Sequence, residues 1–288
     1  MGQGLGLALK RRGYRVVLAN RSQRDVIAPL VLHQGSRAEA TAGAELVLIA
    51  TPDDAIKHVA AELAADRAIS RDQIVLHLSG LLDRTALIPL EESGAGCGSF
   101  HPLQSVAEPA TAAERLKGAY VGIEGDERAL IAAERLANTL RMVPVRIPAA
   151  AKPAYHAGAA FVANYTVALV GVAERLARSA GVSPDIAAQI YLPLLGGAVA
   201  NLNTLGPAAA LTGAVRRGDV ETIQAHLEAM GPEDRNLYRA VGRAAVALAR
   251  EAGLSDLAAK RIEAALDGVL VEAEGNPTDR RSEPHWEP

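Results

Sequence analysis

The sequence has little of several residue types, and each shortage limits the class of protein to which it can belong. Its 288 residues include one cysteine, Cys97, so no disulfide can form within the chain, and the composition fits a reducing cytoplasm. We expect Cys97 to be a small buried residue of a strand, because no cationic or histidine neighbour in the sequence would activate its thiol. Aromatic residues make up 3% of the chain and the formal net charge is −3, which argues against nucleic acid as a main partner.

Signals for a membrane or a metal are also missing from the sequence. The N-terminus lacks a basic region followed by an apolar core, so we predict no signal peptide. The most apolar long stretch, AGAAFVANYTVALVGVA, contains Asn164 and is rich in Ala and Gly, and we interpret it as a buried helix of a cytoplasmic protein rather than a membrane span. The 7 histidines are dispersed, and neither HExxH nor paired CxxC spacing occurs, so no metal site is predicted.

The hydrophobic pattern divides the chain into two domains and a tail. Within residues 1–148, segments of helical period separate short apolar runs, and this alternation predicts an α/β fold with a doubly wound, mainly parallel sheet. Residues 149–274 contain no convincing strand and are predicted to be all-helical, and residues 275–288 are predicted to be a disordered tail. The candidate strands are YRVVLA, ELVLIA, QIVLHL, GCGSF, AYVGIE and VPVRIP.

The chain opens MGQGLGLALKRRGYRVVLANRS, in which three alternate glycines lead into an amphipathic helix and then an apolar strand. A polar triplet follows, made of Asn20, Arg21 and Ser22. In dinucleotide-binding folds an acidic residue at this distance binds the ribose hydroxyls, whereas an arginine accommodates a 2′-phosphate. The triplet therefore favours NADP over NAD, with a solvated turn as the alternative interpretation.

Polar residues follow the next three candidate strands, in ATPDD, HLSG and SFHP. Ligands of open α/β sheets bind beyond the carboxyl ends of the strands, so we predict that Thr51, Pro52 and Ser79 lie beside the nicotinamide half of a cofactor. The two acidic residues after Pro52 are interpreted as a helix start. His101, held extended by the proline that follows it, is a candidate for contacting substrate or for a structural hydrogen bond.

The junction KPAYHAGAAFVANYTVAL carries several groups able to act on a substrate. Lys152, His156 and Asn164 are separated by four and eight residues, so they drift slowly around one side of a helix. We predict His156 as the proton donor, Asn164 as a residue that orients the substrate, and Lys152 as a further catalytic candidate. A polar seam between domains is the alternative.

A second polar cluster lies in TGAVRRGD, within the predicted helical domain. It places Thr212, Arg216, Arg217 and Asp219 at a helix break. The cluster is either a capped turn between helices or an anion site.

Together these segments resemble a known family. The chain is similar to bacterial Rossmann-like proteins, labelled NADP oxidoreductases, whose helical C-terminal half is a domain of unknown function. Their wider relatives include pyrroline-5-carboxylate reductase, ketopantoate reductase and prephenate dehydrogenase. The resemblance implies a dinucleotide-binding domain, a helical domain that forms a homodimer, and hydride transfer. The matching motifs are GQGLGLAL, ANRS, IATPDDAI, HLSG, GSFHPLQ, YHAGAAFVANYTVAL and LTGAVRRGD.

The resemblance also gives an interpretation of the opening glycines. Family members begin with a strand and the pattern GxGxxGxxxG, in which the last two glycines pack the helix against the sheet. Gly2 and Gly6 have that spacing, so the first strand and the first two glycines would precede Gly2. We therefore expect the native product to start upstream.

Three hypotheses for function follow. The leading one is an NADP-dependent oxidoreductase that transfers a hydride to or from a small carbonyl or imine substrate. Arg21 and Ser22 would bind the 2′-phosphate, while Gly2 and Gly4 would let a helix N-terminus approach the pyrophosphate. The alternatives are an NADP-binding sensor without turnover and an inactive truncated product.

Overall fold

The computed structural model describes residues 1–20 and 25–269. The predicted phosphate-binding residues Arg21 and Ser22 and the predicted tail, 275–288, lie outside the described residues. The chain forms two compact units, of which the first comprises Met1–Thr166 and the second begins at Val167.

The first unit is built on a five-stranded mixed sheet in the order β1-β2-β3-β4-β5. Strands β1 to β3 run parallel, β4 is antiparallel to β3, and β5 is parallel to β4. The α/β prediction is thereby confirmed. The strands are β1 (Leu46–Ile49), β2 (Ile74–His77), β3 (Gly96–Pro102), β4 (Tyr120–Gly125) and β5 (Val143–Arg146).

Helices cover both faces of this sheet. Successive side chains of a strand point to opposite faces, so one strand can contribute to a buried cluster on either side. On β2, Val75 belongs to one buried cluster and Leu76 to the other. Pro52 immediately precedes a helix whose first turn holds two aspartates, as the sequence predicts. The helices of this unit are α1 (Gly2–Lys10), α2 (Arg37–Thr41), α3 (Asp53–Ala65), α4 (Ala112–Leu116), α5 (Glu127–Leu140) and α6 (Lys152–Ala160), with 3-10 turns at Arg84–Ser93, Pro109–Thr111 and Ala149–Ala151.

One predicted strand, YRVVLA, does not join the sheet. Leu18 forms an isolated parallel bridge with Leu32, and His33 donates its N–H to the Leu18 carbonyl at 2.7 Å. The prediction of a strand of the main sheet is therefore wrong for this segment. An apolar run becomes a strand only when its backbone groups find a ladder of partners, and here the ladder is one bridge long.

The glycines of α1 allow close packing at its beginning. A Cβ on Gly2 would lie 2.7 Å from the Cβ of Ala50, and one on Gly4 would lie 2.5 Å from the Cβ of Ala112. Gly2 therefore places the start of α1 against the residue that follows β1. A Cβ on Gly6 would meet the Leu30 methyl groups at 3.4 Å, which is a looser contact.

The second unit is helical over its described residues, as the sequence predicts, and it begins at Val167, whereas the predicted helical domain begins at residue 149. Its core includes Ile223, Val246 and Ile262, which are fully buried. In the first unit, Cys97 is buried in β3, as expected. Burial raises the pKa of the Cys97 thiol to about 11. The helices are α7 (Thr166–Ser179), α8 (Leu192–Ala210), α9 (Gly213–Arg217), α10 (Val220–Glu228), α11 (Pro232–Glu251) and α12 (Asp256–Asp267), and a π-helical turn, Phe161–Tyr165, joins α6 to α7.

The apolar stretch AGAAFVANYTVALVGVA forms a helix, but the expectation that it is buried is wrong for the single chain. Phe161, Val162 and Val167 are exposed because no described residue covers them. By length and composition alone, the helix Ala149–Ser179 could cross a membrane, with a mean hydropathy of 1.4 in its most apolar window.

Candidate functional site

Helix α6 contacts β3 and β4 at one face of the sheet, and the strand register determines which side chains meet there. Ser99 and His101 lie on the same face of β3 because side chains alternate along a strand. The antiparallel register sets Ser99 opposite Glu124 and His101 opposite Gly122. Helix residues three or four positions apart share a face, so Lys152 meets the first pair and Tyr155 meets the second.

The amino group of Lys152 is the most deeply buried charge of this site. The residue is 1% exposed. Its Nζ donates to Ser99 Oγ at 2.8 Å and to the Ser79 carbonyl at 3.4 Å. Burial lowers the pKa of Lys152, and the carboxylates of Glu124, Asp83 and Asp53 oppose that change. A buried ammonium needs such partners, since its desolvation alone costs several kcal/mol.

Glu124 is buried on the far side of Ser99. Its Oε2 accepts hydrogen bonds from the backbone N–H of Arg84 at 2.9 Å and from Ser99 Oγ at 3.4 Å. Burial raises the pKa of Glu124, whereas the charge of Lys152 lowers it. The two charged groups therefore compensate each other inside the fold.

Ser79 and His77 hold the loop after β2 in place. The Ser79 hydroxyl donates to Asp53 Oδ2 at 2.7 Å and accepts from the N–H groups of Leu81 and Leu82. His77 Nδ1 accepts from the Ser79 N–H, and Nε2 lies 3.0 Å from the Asp83 carbonyl oxygen. Burial lowers the pKa of His77, which agrees with a neutral ring that donates through Nε2.

His101 and Tyr155 form a hydrogen-bonded pair. The Tyr155 hydroxyl lies 3.1 Å from His101 Nδ1, and it packs directly over Gly122, where a Cβ would collide with it. Burial, followed by the charges of His156 and Lys152, lowers the pKa of His101 to about 4, and burial raises the pKa of Tyr155 to about 12. At neutral pH His101 is therefore an uncharged imidazole whose Nδ1 shares a hydrogen bond with the Tyr155 hydroxyl, and that hydroxyl also donates to the His101 carbonyl oxygen at 3.5 Å.

His156 packs against His101 with ring centroids 5.4 Å apart in an edge-to-face arrangement. A Cβ on Gly80 would lie 2.5 Å from His156 Nδ1 and 2.7 Å from His101 Cε1. His156 Nδ1 is buried, and none of the described residues hydrogen-bonds it. Gly80 thus makes room for two imidazoles at the end of β2.

Three of the predicted cofactor residues, Thr51, Pro52 and Ser79, lie just beyond the carboxyl ends of the parallel strands β1 and β2. Thr51 follows β1, and its Oγ1 is buried with no hydrogen-bond partner among residues 1–20 and 25–269. Gly2, at the start of α1, packs on the neighbouring Ala50. Asn20 is exposed and adjoins the residues that the structure does not describe. A hydroxyl without a partner beside a glycine-rich helix start fits a ligand with hydrogen-bonding groups.

The structure also describes Asn164 and the segment TGAVRRGD, which the sequence interpretation singled out. Asn164 is exposed in the π-helical turn, and no contact with the polar residues around Lys152 is present in the described chain. In TGAVRRGD, Arg216 donates to the Ala252 carbonyl at 2.8 Å, and Asp219 caps α10 by accepting from the Thr222 N–H. These contacts favour the capped turn over the anion site.

The sequence interpretation missed Ser99, Glu124 and Gly80. One signal was available, since Glu124 is the only charged residue within the strand sequence YVGIEG. A charge in a strand that is buried on both faces requires a buried partner. Gly80 carried no signal, because its need for a missing side chain arises from residues far away in the sequence.

Two family models match different parts of the chain. Residues 1–102 match the family model of a Rossmann-like domain, and residues 119–245 match that of a domain of unknown function, DUF2520. No curated protein matches the chain in sequence.

Three solved structures illustrate the similarity in fold. A Thermotoga maritima protein is 27% identical, with 72% of this chain and 79% of that chain covered and a TM-score of 0.58. A Bacteroides fragilis protein described as a candidate NADP oxidoreductase is 21% identical, with 84% and 93% covered and a TM-score of 0.69. An imine reductase from Myxococcus stipitatus in complex with NADP+ is 18% identical, with 88% and 90% covered and a TM-score of 0.56.

We predict that Gly80→Ala destabilises the protein by about 1–3 kcal/mol, because the added methyl group collides with two imidazoles. Chemical denaturation measures this change. Gly158→Ala is the matched control, since no atom lies within 4 Å of its Cβ position on α6. Adding His156→Ala to Gly80→Ala should recover part of the loss, and strictly additive costs would contradict the packing described for Gly80.

Proposed function

Because the chain joins a Rossmann-like domain to a DUF2520 domain, we propose that it is an NADP-dependent oxidoreductase that transfers a hydride to or from a small carbonyl or imine. The observation that carries the proposal is the convergence of Lys152, Tyr155 and His156 of α6 with His101 of β3 and with Ser79 beyond β2. Independent elements supply polar groups to one place at the carboxyl end of the parallel strands. This is the part of an open α/β sheet where ligands bind.

The described residues fit a dinucleotide at this edge. Thr51 offers a buried hydroxyl that lacks a protein partner, and Gly2 brings the start of α1 beside it. Arg21 and Ser22 would bind the 2′-phosphate, on the basis of their place in the sequence. When bound, NADPH supplies the hydride.

The imidazoles and the tyrosine act on the substrate side. His156 is the proton donor of the proposal, because it hydrogen-bonds the substrate oxygen or nitrogen, where negative charge develops as the carbon is reduced, and passes a ring proton to that atom. His101 adds a second, uncharged imidazole whose orientation Tyr155 holds. Lys152 provides a positive charge behind His101 and His156, and the Lys152 side chain is buried away from water.

We also propose that the protein works as a homodimer through its exposed apolar helices. Val162, Val167 and Leu194 are 78%, 73% and 72% exposed in the single chain. Apolar side chains this exposed mark an interaction site. A second copy of the chain presents the same surface, and a two-fold interface pairs it with itself.

His156→Ala should lower kcat by about 10²–10⁴-fold, because the substrate then loses its proton donor. NADPH oxidation, followed at 340 nm with a panel of imines and ketones, measures this change. His58→Ala is the control, since His58 is an exposed residue of α3. An unchanged rate in His156→Ala would remove this residue from the mechanism. NADPH binding without turnover of any compound would instead favour a sensor.

Arg21→Ala should weaken NADPH binding about 10-fold or more while leaving NADH binding unchanged, because only the 2′-phosphate uses the guanidinium. Fluorescence titration with each nucleotide gives both dissociation constants. Arg12→Ala controls for the loss of one exposed positive charge on the same part of the chain. Equal weakening for the two nucleotides would contradict the assignment of Arg21.

Light scattering should show two chains per particle for the natural sequence, and Val167→Glu should give a monomer because a carboxylate cannot be buried in an apolar interface. Leu257→Glu is the control, since Leu257 is an apolar residue of α12 with a similar exposure, 68% against 73% for Val167. A monomeric natural protein, or a protein that binds lipid vesicles through this helix, would rule out the dimer.

A further inference from the structure

Ser99 and Glu124, which the sequence interpretation did not single out, form a continuous hydrogen-bonded path to the amino group of Lys152. Lys152 Nζ donates to Ser99 Oγ at 2.8 Å, and Ser99 Oγ donates onward to Glu124 Oε2 at 3.4 Å. A hydroxyl has one proton to donate, so accepting from the ammonium leaves it free to donate to the carboxylate. The path therefore has a direction, from ammonium to carboxylate.

The strand pairing holds this path rigidly. Ser99 and Glu124 are directly opposed in the antiparallel register of β3 and β4, and the backbone N–H of Arg84 fixes the same carboxylate oxygen. Ser99 is fully buried and Glu124 is 8% exposed. Neither side chain can turn to solvent without breaking a buried hydrogen bond. Ser99 therefore stays in contact with Lys152, and Glu124 stays in contact with Ser99.

We propose that Glu124 is a positioning residue that acts through Ser99 to keep the buried amino group of Lys152 protonated behind His101 and His156. The role of that charge in catalysis rests on the proposed function. The charged state of Lys152 itself rests only on the geometry of β3, β4 and α6.

Other charged and titratable groups also face Lys152 and must be separated from Glu124 by experiment. Asp83 and Asp53 add negative charge from the loop after β2 and from the start of α3. Neither of these two carboxylates hydrogen-bonds Lys152, whereas Glu124 is linked to it through Ser99. His77 of β2 and His101 of β3 also lie close enough to interact with the Lys152 charge, and Tyr155 and His156 follow Lys152 on α6.

The test is an NMR titration of the lysine side chains. The chain has five lysines, Lys10, Lys57, Lys117, Lys152 and Lys260, so the signals of ¹³C-labelled lysine are few, and Lys152→Met assigns the one of interest. Glu124→Gln keeps the acceptor for Arg84 but removes the charge. It should lower the Lys152 midpoint by about one pH unit or more, as the loss of a nearby opposite charge does.

Ser99→Ala should move the Lys152 midpoint in the same direction, and Ser99→Thr should restore it because the hydroxyl returns. Glu134→Gln is the control, since Glu134 is an exposed carboxylate paired with Arg146. If Glu124→Gln does not fold, Ser99→Ala decides alone. An unchanged Lys152 midpoint in folded Ser99→Ala and in any folded Glu124→Gln would overturn the proposal.

Kinetics separates this proposal from the proposed function. With turnover, Glu124→Gln should move the alkaline limb of the kcat/KM profile to lower pH by the same amount as the lysine midpoint, with the KM for NADPH unchanged. A shifted lysine midpoint with no turnover in the natural protein would refute the oxidoreductase and retain the role of Glu124. Turnover with an unshifted midpoint would do the reverse.

Discussion

The candidate site depends on one electrostatic constraint, the burial of the Lys152 ammonium between a helix and the sheet. A charge so far from water is tolerable only if hydrogen bonds and an opposite charge replace its hydration. Ser99, the Ser79 carbonyl and Glu124 supply these. The requirement ties α6, β3, β4 and the loop after β2 into one arrangement.

The sheet register turns this constraint into a layer of chemistry. Opposed pairs on β3 and β4 place a serine against a glutamate and, two residues further, a histidine against a glycine. Helix α6 presents Lys152 to the first pair and Tyr155 to the second, and His156 on the same helix face packs over Gly80. Gly80 and Gly122 act by having no side chain, because each leaves room for a ring that contributes polar atoms. As a result, the imidazoles of His101 and His156 lie beside the ammonium of Lys152, whose charge Glu124 balances.

Much of the fold was predictable because local chemistry determines it. Five of the six apolar runs became strands, and Pro52 and its aspartates began a helix. YRVVLA failed because a strand also needs a partner ladder, which periodicity cannot reveal. The apolar stretch AGAAFVANYTVALVGVA was expected to be buried, but side chains in it are exposed in the single chain. An apolar sequence predicts that a surface will be covered but does not identify what covers it.

The sequence by itself determined the α/β layout, the helical second half and the candidate residues Lys152 and His156, since each depends on spacing along one segment. The tertiary structure alone decided that Ser99 and Glu124 join Lys152, that His101 is held uncharged, and that Gly80 makes room for both rings. It also set Asn164 apart from these groups, because it lies exposed in a π-helical turn. These properties come from contacts between residues up to 76 positions apart in the chain, as between Gly80 and His156. No local pattern encodes them, because pairing register and burial exist only in the folded chain.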